Sequence, residues 1–158
     1  MSNIIPQMIR DLQTGDEISG AASEAVFSAI MRGEATPAQI AAVLMGLSLR
    51  GESAEVVAGA AKAMRAAAVK ISPSATGLMD TCGTGGDGAK TFNISTAVSL
   101  IVAACGVPVA KHGNRAMSSK SGAADVLEAL GVNLDISPEQ VAACLDATGI
   151  GFLFAQKL

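Results

Sequence analysis

Tryptophan and tyrosine are absent from the 158 residues, and phenylalanine occurs only four times. A surface that binds single-stranded nucleic acid by stacking its bases needs exposed rings, so that class of function is excluded. Cysteine is sparse as well. Cys82, Cys105 and Cys144 stand far apart, and an odd, scattered set of this kind predicts free thiols in a reducing compartment. No CxxC, HxxxH or HExxH spacing is present and His112 is the single histidine, which leaves no zinc site of the usual kinds. Charged residues make up 16% of the chain, with a net charge of −3, and no stretch is basic enough to cover a nucleic-acid duplex. No apolar run approaches the ~20 residues that span a bilayer. Residues 1–10 lack the basic flank and long apolar stretch of a signal peptide. These absences predict a cytoplasmic protein with no membrane and no nucleic-acid partner.

Half of the residues are hydrophobic, and with so few rings the core must be built from Ala, Val, Leu, Ile and Met, which suits closely packed helices. Residues 1–72 read as a helical N-terminal domain. A first helix covers about Ile4 to Leu12, and a second runs from about Ser19 to Met31 and stops at Gly33. Thr36-Pro37-Ala38-Gln39 opens a third: Thr caps, Pro is tolerated at the first helical position, and Gln three residues on completes a capping box. Ile40, Val43, Leu44 and Leu47 follow at helical spacing, and Gly51 ends the helix. Ser53 caps a fourth helix whose apolar side is expected to hold Val56, Val57, Ala60, Ala61 and Met64. The many small residues on these helices suit the internal core and a second subunit equally.

The character of the chain changes after the turn residues Ile71 to Thr76. Residues 73–158 alternate strand, loop and helix. Extended segments are predicted at Leu78–Thr81, Val107–Ala110 and Ile150–Phe154. Helices are predicted at Val98–Ala104, about Gly122–Leu130, and Pro138–Ala147 behind Ser137-Pro138-Glu139-Gln140. Such alternation implies the first part of a mainly parallel α/β domain. The fold class is therefore α/β, with a small all-helical domain in front.

The most informative stretch is Asp80-Thr81-Cys82-Gly83-Thr84-Gly85-Gly86-Asp87-Gly88. Four glycines in six residues after a strand allow a sharp turn and close approach to a ligand. Successive N–H groups in such a loop can form an anion-binding nest. It is not a GxxxxGK[ST] loop. Although Gly83, Gly85 and Gly88 have dinucleotide-loop spacing, Asp87 would face the diphosphate of such a ligand. Asn93-Ile94-Ser95-Thr96 then precedes a helical run. Taken singly these residues are ordinary caps, but a helix N-terminus also attracts anions. Between Gly88 and Gly122 there is no Asp or Glu, while Lys90, Lys111, Arg115 and Lys120 are present. That segment carries +4 in a chain of −3, leaving −7 for the remainder. An electropositive pocket for a phosphate ester is the expectation. The glycine loop and Lys111-His112-Gly113-Asn114-Arg115 both follow predicted parallel strands, which would bring them to one sheet edge.

GTGGD (83–87), NIST (93–96), KHGNR (111–115) and SSKSGAADVLEALG (118–131), in this order and spacing, resemble the anthranilate phosphoribosyltransferase family. GEATPAQIAAVLMGLSLRGE (33–52) resembles that family's helical N-terminal domain, so the likeness covers essentially the whole chain. Pyrimidine nucleoside phosphorylases are related in fold, but a serine- and glycine-rich segment replaces KHGNR in them. The resemblance implies a nucleoside phosphorylase/phosphoribosyltransferase-like fold and a homodimer formed through the helical domain. It also implies phosphoribosyl diphosphate (PRPP) and anthranilate as substrates, and Mg²⁺. Gly83, Gly86, Asp87, Thr91, Asn93, Ile94, Ser95 and Thr96 are then expected on PRPP, with Ser95 also on Mg²⁺. Lys111, His112, Gly113, Asn114, Arg115, Ala116, Met117, Ser118 and Ser119 are expected to wrap its other side, with Ala123 close by. Gly83 and Asn114 are expected against anthranilate.

The implied reaction, N-(5-phosphoribosyl)anthranilate and diphosphate from PRPP and anthranilate in tryptophan biosynthesis, needs positioning and electrostatic stabilisation and no protein nucleophile. Cys82 is read as a small residue ending a buried strand, because no general base stands near it in sequence. His112 is read as a positioning group. Family members run to about twice this length, and a later acidic pair for Mg²⁺ and an arginine for the anthranilate carboxylate are not in this chain. Weak or absent turnover of the isolated chain, and an open sheet edge, are expected in consequence. A nucleoside phosphorylase-like enzyme, a non-catalytic PRPP-binding fragment and a purely structural helical protein are the rival readings.

Overall fold

A computed structural model describes residues 3–83, 92–116 and 121–157. The chain divides into two units, Met1–Ala68 and Val69–Leu158. The first is a helical bundle and the second is the start of a parallel α/β domain. Among the described residues no helix is long and apolar enough to cross a membrane.

The first unit contains α1 (Ile4–Thr14), α2 (Gly20–Met31), α3 (Pro37–Arg50) and α4 (Ala54–Ala67). Its helix starts are local events. Ser19, Thr36 and Ser53 each accept a hydrogen bond from a first-turn N–H. Thr36 and Gln39 close the expected capping box behind Pro37. The core joins Ile5, Met8 and Leu12 of α1 to Val26 and Ala29 of α2, Val43 and Leu47 of α3, and Val56 of α4. On α4 the expected apolar face is corrected: Val56, Gly59 and Ala63 are buried, whereas Val57 and Met64 are about half exposed. The reason is close contact between α2 and α4. A Cβ built on Gly59 would lie 2.1 Å from the Gly20 carbonyl oxygen, so only the small-residue face of α4 can make this approach. The buried Ser23 hydroxyl donates to the Val56 carbonyl at 2.7 Å across the same contact.

The second unit contains α5 (Ile94–Ala104), β1 (Val109–Gly113), α6 (Ala123–Ala129), α7 (Pro138–Thr148) and β2 (Ile150–Phe154). β1 and β2 pair in parallel, in register from Val109 opposite Ile150 to Gly113 opposite Phe154. On the other edge of β1 the predicted strand at 78–81 is reduced to a single parallel bridge, Met79 to Val109. β1 also starts two residues later than predicted. Pro108 has no N–H, and the Val107 N–H turns back to the Val102 carbonyl at 3.3 Å, so the first ladder donor to β2 is Val109, to Gly149 O at 2.9 Å. Lys111 therefore lies within the strand rather than after it. α5 begins four residues earlier than predicted, because Asn93 caps it. Ala124, Leu127, Leu134 and Phe154 form the core beside the sheet.

Candidate functional site

Asp80, Thr81 and Cys82 lead into the glycine loop, and each is tied to another candidate segment. The Thr81 hydroxyl donates to the Ser95 carbonyl in the first turn of α5 at 2.8 Å. Asp80 Oδ1 accepts from the His112 N–H in β1 at 3.2 Å and from the Cys82 N–H at 2.9 Å. Cys82 Sγ stands 3.7 Å from His112 Nδ1. The loop entry, the N-terminus of α5 and the C-terminal part of β1 thus converge, while the rest of the glycine loop lies outside the described residues. At α5, Asn93 Oδ1 accepts from Thr96 N, Thr96 Oγ1 and Ser95 Oγ at 3.2, 2.8 and 3.3 Å, which shapes the first turn.

Beyond β1 the chain is clamped to α6. The Arg115 guanidinium meets Glu128 at 2.8 and 3.1 Å and Asp125 at 3.2 Å, and it lies 5.7 Å from the centre of the Phe154 ring. Asp125 Oδ2 accepts from the Ala116 and Gly122 N–H groups, both at 2.9 Å. Those two N–H donors, with Arg115 adding to them, hold the Asp125 carboxyl below the ordinary aspartate range. Hydrogen bonding and charge from Arg115 likewise lower Glu128, and the carboxylates in turn raise Arg115. A Cβ on Gly122 would meet Ala116 N at 2.3 Å and the Asn114 carbonyl oxygen at 2.7 Å, so the contact requires glycine. The expected neighbour Ala123 lies against Gly113: a Cβ there would be 2.8 Å from the Ala123 Cβ.

Among the expected site residues, Gly83, Asn93, Ile94, Ser95, Thr96 and Lys111 to Ala116 fall on the three converging segments or the clamp. Gly86, Asp87, Thr91, Met117, Ser118 and Ser119 lie outside the described residues. Of the four cations behind the expected electropositive pocket, Lys90 and Lys120 lie outside the described residues, and the other two have protein partners. Arg115 is paired with two carboxylates. Lys111 is 2% exposed, with its ammonium donating to the His112 carbonyl at 3.1 Å. Two other readings change. Cys82 is exposed rather than buried, and a possible base does stand beside it, because strand pairing brings His112 across 30 residues of sequence. Sequence reasoning missed Asp80, Asp125 and Glu128. An Asp two residues before a turn N–H and an Asp three residues into a helix are readable signals, but their long-range partners are not.

Ser95, the expected metal contact, offers one hydroxyl oxygen. Among the described residues no group of three or more His, Cys, Asp or Glu could hold an ion. A single hydroxyl fits an ion such as Mg²⁺ that keeps several waters and takes other ligands from substrate phosphates.

Residues 6–68 match the helical bundle domain of a glycosyl transferase family, and residues 75–158 match that family's a/b domain. Anthranilate phosphoribosyltransferase of Thioalkalivibrio sulfidiphilus is 56% identical over 96% of this chain and 45% of its own length. Its counterpart in Symbiobacterium thermophilum is 52% identical over 96% of this chain and 44% of its own. The crystal structure of anthranilate phosphoribosyltransferase from Thermus thermophilus superposes with a TM-score of 0.84 at 45% identity, covering 94% of this chain and 45% of that one. The chain spans less than half the length of these relatives.

Proposed function

Because this chain belongs to the glycosyl transferase family whose helical bundle and a/b domains it carries in order, we propose that it serves phosphoribosyl transfer from PRPP to anthranilate in tryptophan biosynthesis. The observation that carries this reading is identity above 50%, over 96% of the chain, to proteins named for that reaction. The convergence of the glycine-loop entry, α5 and β1 supports it, since these are the segments expected on the donor.

In this reaction the anthranilate nitrogen forms a bond to the ribose C1, the bond from C1 to diphosphate oxygen breaks, and the amine loses a proton. Negative charge grows on the leaving diphosphate. The N-terminus of α5 is suited to receive such an anion through its helix dipole, and the Lys111 ammonium supplies a buried positive charge on the β1 side. Mg²⁺, bound on the diphosphate with Ser95 Oγ beside it, would supply further neutralisation of the leaving group. Asn114, exposed beyond β1, and Gly83 are assigned to anthranilate. Attack by the amine with inversion accounts for a β-linked product from an α-linked donor without a protein nucleophile. In this reading the protein is a homodimer formed through the helical unit. It acts in the cytoplasm, in keeping with its three free, exposed cysteines.

The test adds PRPP and Mg²⁺ to the 158-residue chain with anthranilate and follows the fluorescence of anthranilate, alongside calorimetric titration of PRPP. Saturable PRPP binding is expected, with a weak PRPP-dependent fall in fluorescence or none, in keeping with the weak or absent turnover expected of a chain that spans less than half of its relatives. Phosphorolysis of a pyrimidine nucleoside, with no response to PRPP, would overturn the proposal.

A further inference from the structure

Adjacent parallel strands exchange hydrogen bonds at every second residue of each strand. On the Met79 edge of β1 this exchange starts normally: Met79 N–H donates to Pro108 O, and Ala110 N–H donates to Met79 O, both at 2.9 Å. The next N–H on that edge is His112, two residues on, and a continuing ladder would offer it the Thr81 carbonyl. It bonds instead to the Asp80 carboxylate at 3.2 Å, and among the described residues no main-chain bond extends the ladder past Ala110. The same carboxylate oxygen accepts from Cys82 N–H, two residues after Asp80, at 2.9 Å, the geometry of an Asx turn. A single side-chain oxygen thus ends the strand pairing, turns the chain off the sheet and keeps the turn attached to the C-terminal part of β1. Thr81, between the two, is held from the other side by its bond to Ser95 in α5.

We infer that Asp80 is a positioning residue for the phosphoribosyl donor: its carboxylate replaces a main-chain acceptor and so sets the point at which the glycine loop leaves the sheet beside His112. The inference rests on the function proposed above. It assigns Asp80 no contact with the donor. Its part is to fix the spacing between Gly83 and the stretch from Lys111 to Asn114, both of which the proposed function assigns to the substrates. Without the carboxylate, His112 N–H and Cys82 N–H lose their acceptor, and the ladder is free to run on to Thr81, which would draw the loop entry into the sheet. Asparagine keeps an oxygen at the same position and preserves the arrangement, because the function required is acceptance of two hydrogen bonds rather than negative charge.

The test is calorimetric titration of PRPP with Mg²⁺ into the full chain and its Asp80→Ala and Asp80→Asn variants, with a thermal melt of each. Asp80→Ala is expected to weaken binding about tenfold or more, the scale of the hydrogen bonds that hold the two segments together, with a cooperative melt at a somewhat lower temperature than that of the unmodified chain. Asp80→Asn is expected to stay within about threefold of it, on the same reasoning. Equal losses in both variants would assign the effect to charge and overturn the inference. Unmodified affinity in Asp80→Ala would overturn it as well. Absence of PRPP binding by the unmodified chain refutes the proposed function and takes the inference with it, so the two failures are distinguishable. A measurement independent of how the variants fold is amide hydrogen exchange in the unmodified chain. Protection of His112 N–H comparable to that of Ala110 supports the inference, and exchange at the solvent rate overturns it.

Discussion

Asp125 and Glu128 hold their carboxyls below the ordinary values of 3.8 and 4.5. A depressed carboxylate contributes stability that is present above its unfolded value and is lost as the pH falls through its folded value. The Arg115 clamp is therefore complete at neutral pH and is expected to be lost as acidification passes below the ordinary carboxylate range. Urea midpoints measured between neutral and strongly acid pH should fall more for the unmodified chain than for a chain carrying Asp125→Asn and Glu128→Gln. Because these groups are exposed, the difference should shrink in high salt. Lys111 gives a second prediction at this scale. It is a long cation, 2% exposed, in a slot that an apolar side chain of similar length can fill. Lys111→Met is expected to leave the melting temperature unchanged or raised while weakening PRPP binding by about tenfold or more, as loss of a buried charge partner for an anion implies. A melt lowered by many degrees with PRPP affinity unchanged would show that the ammonium is needed for folding and not for the ligand. Both positions were readable in the sequence as basic residues of one segment. That one is buried and the other paired was not readable, since both facts depend on residues brought from elsewhere in the chain.

Helix starts and helix faces differ in the same way. Thr36-Pro37-Ala38-Gln39 and Ser137-Pro138-Glu139-Gln140 each close a capping box within four residues, the first as expected and the second at the predicted helix start. Thr36→Ala is expected to cost about 1 kcal/mol, read as a lower urea midpoint with an unchanged slope. Faces are settled between helices. Seen along the sequence, Val57 and Met64 are as apolar as Val56, yet the contact of α4 with α2 selects the face carrying Gly59 and Ala63. Gly59→Ala is expected to destabilise by about 3 kcal/mol, since a backbone collision has no flexible atom to yield. The helix propensity gained is at most ~1 kcal/mol. A stable Gly59→Ala chain would contradict the close α2–α4 packing. The start of β1 belongs to this scale as well. Val107 reads as strand, but its N–H completes the turn that ends α5, and Pro108 cannot donate.

For the whole molecule, apolar side chains left outside the core bear on assembly. Leu49 is 79% exposed and Met45 61%, both on α3 and four residues apart, and so on one side of that helix. Exposed apolar side chains side by side on one helix suit a contact with a second copy of the chain. Self-association through the helical unit is expected in sedimentation at micromolar concentrations. Met45→Glu with Leu49→Glu is expected to shift the chain to monomer without lowering its helix content. A monomer at all concentrations for the unmodified chain would overturn the homodimer proposal.

What the sequence determined by itself lies within short reach along the chain: the caps, the order and spacing of four motifs, and the division into a helical and an α/β part. Each depends on neighbours a few residues apart or on residue identity alone. The tertiary structure decided which face of α4 is buried, where β1 begins, that Arg115 pairs with Asp125 and Glu128, and that Asp80 joins the glycine-loop entry to His112. Those outcomes turn on hydrogen bonds and steric contacts between residues far apart in sequence, 10 positions for Arg115 and Asp125 and 32 for Asp80 and His112. Only folding brings such partners within bonding reach of one another.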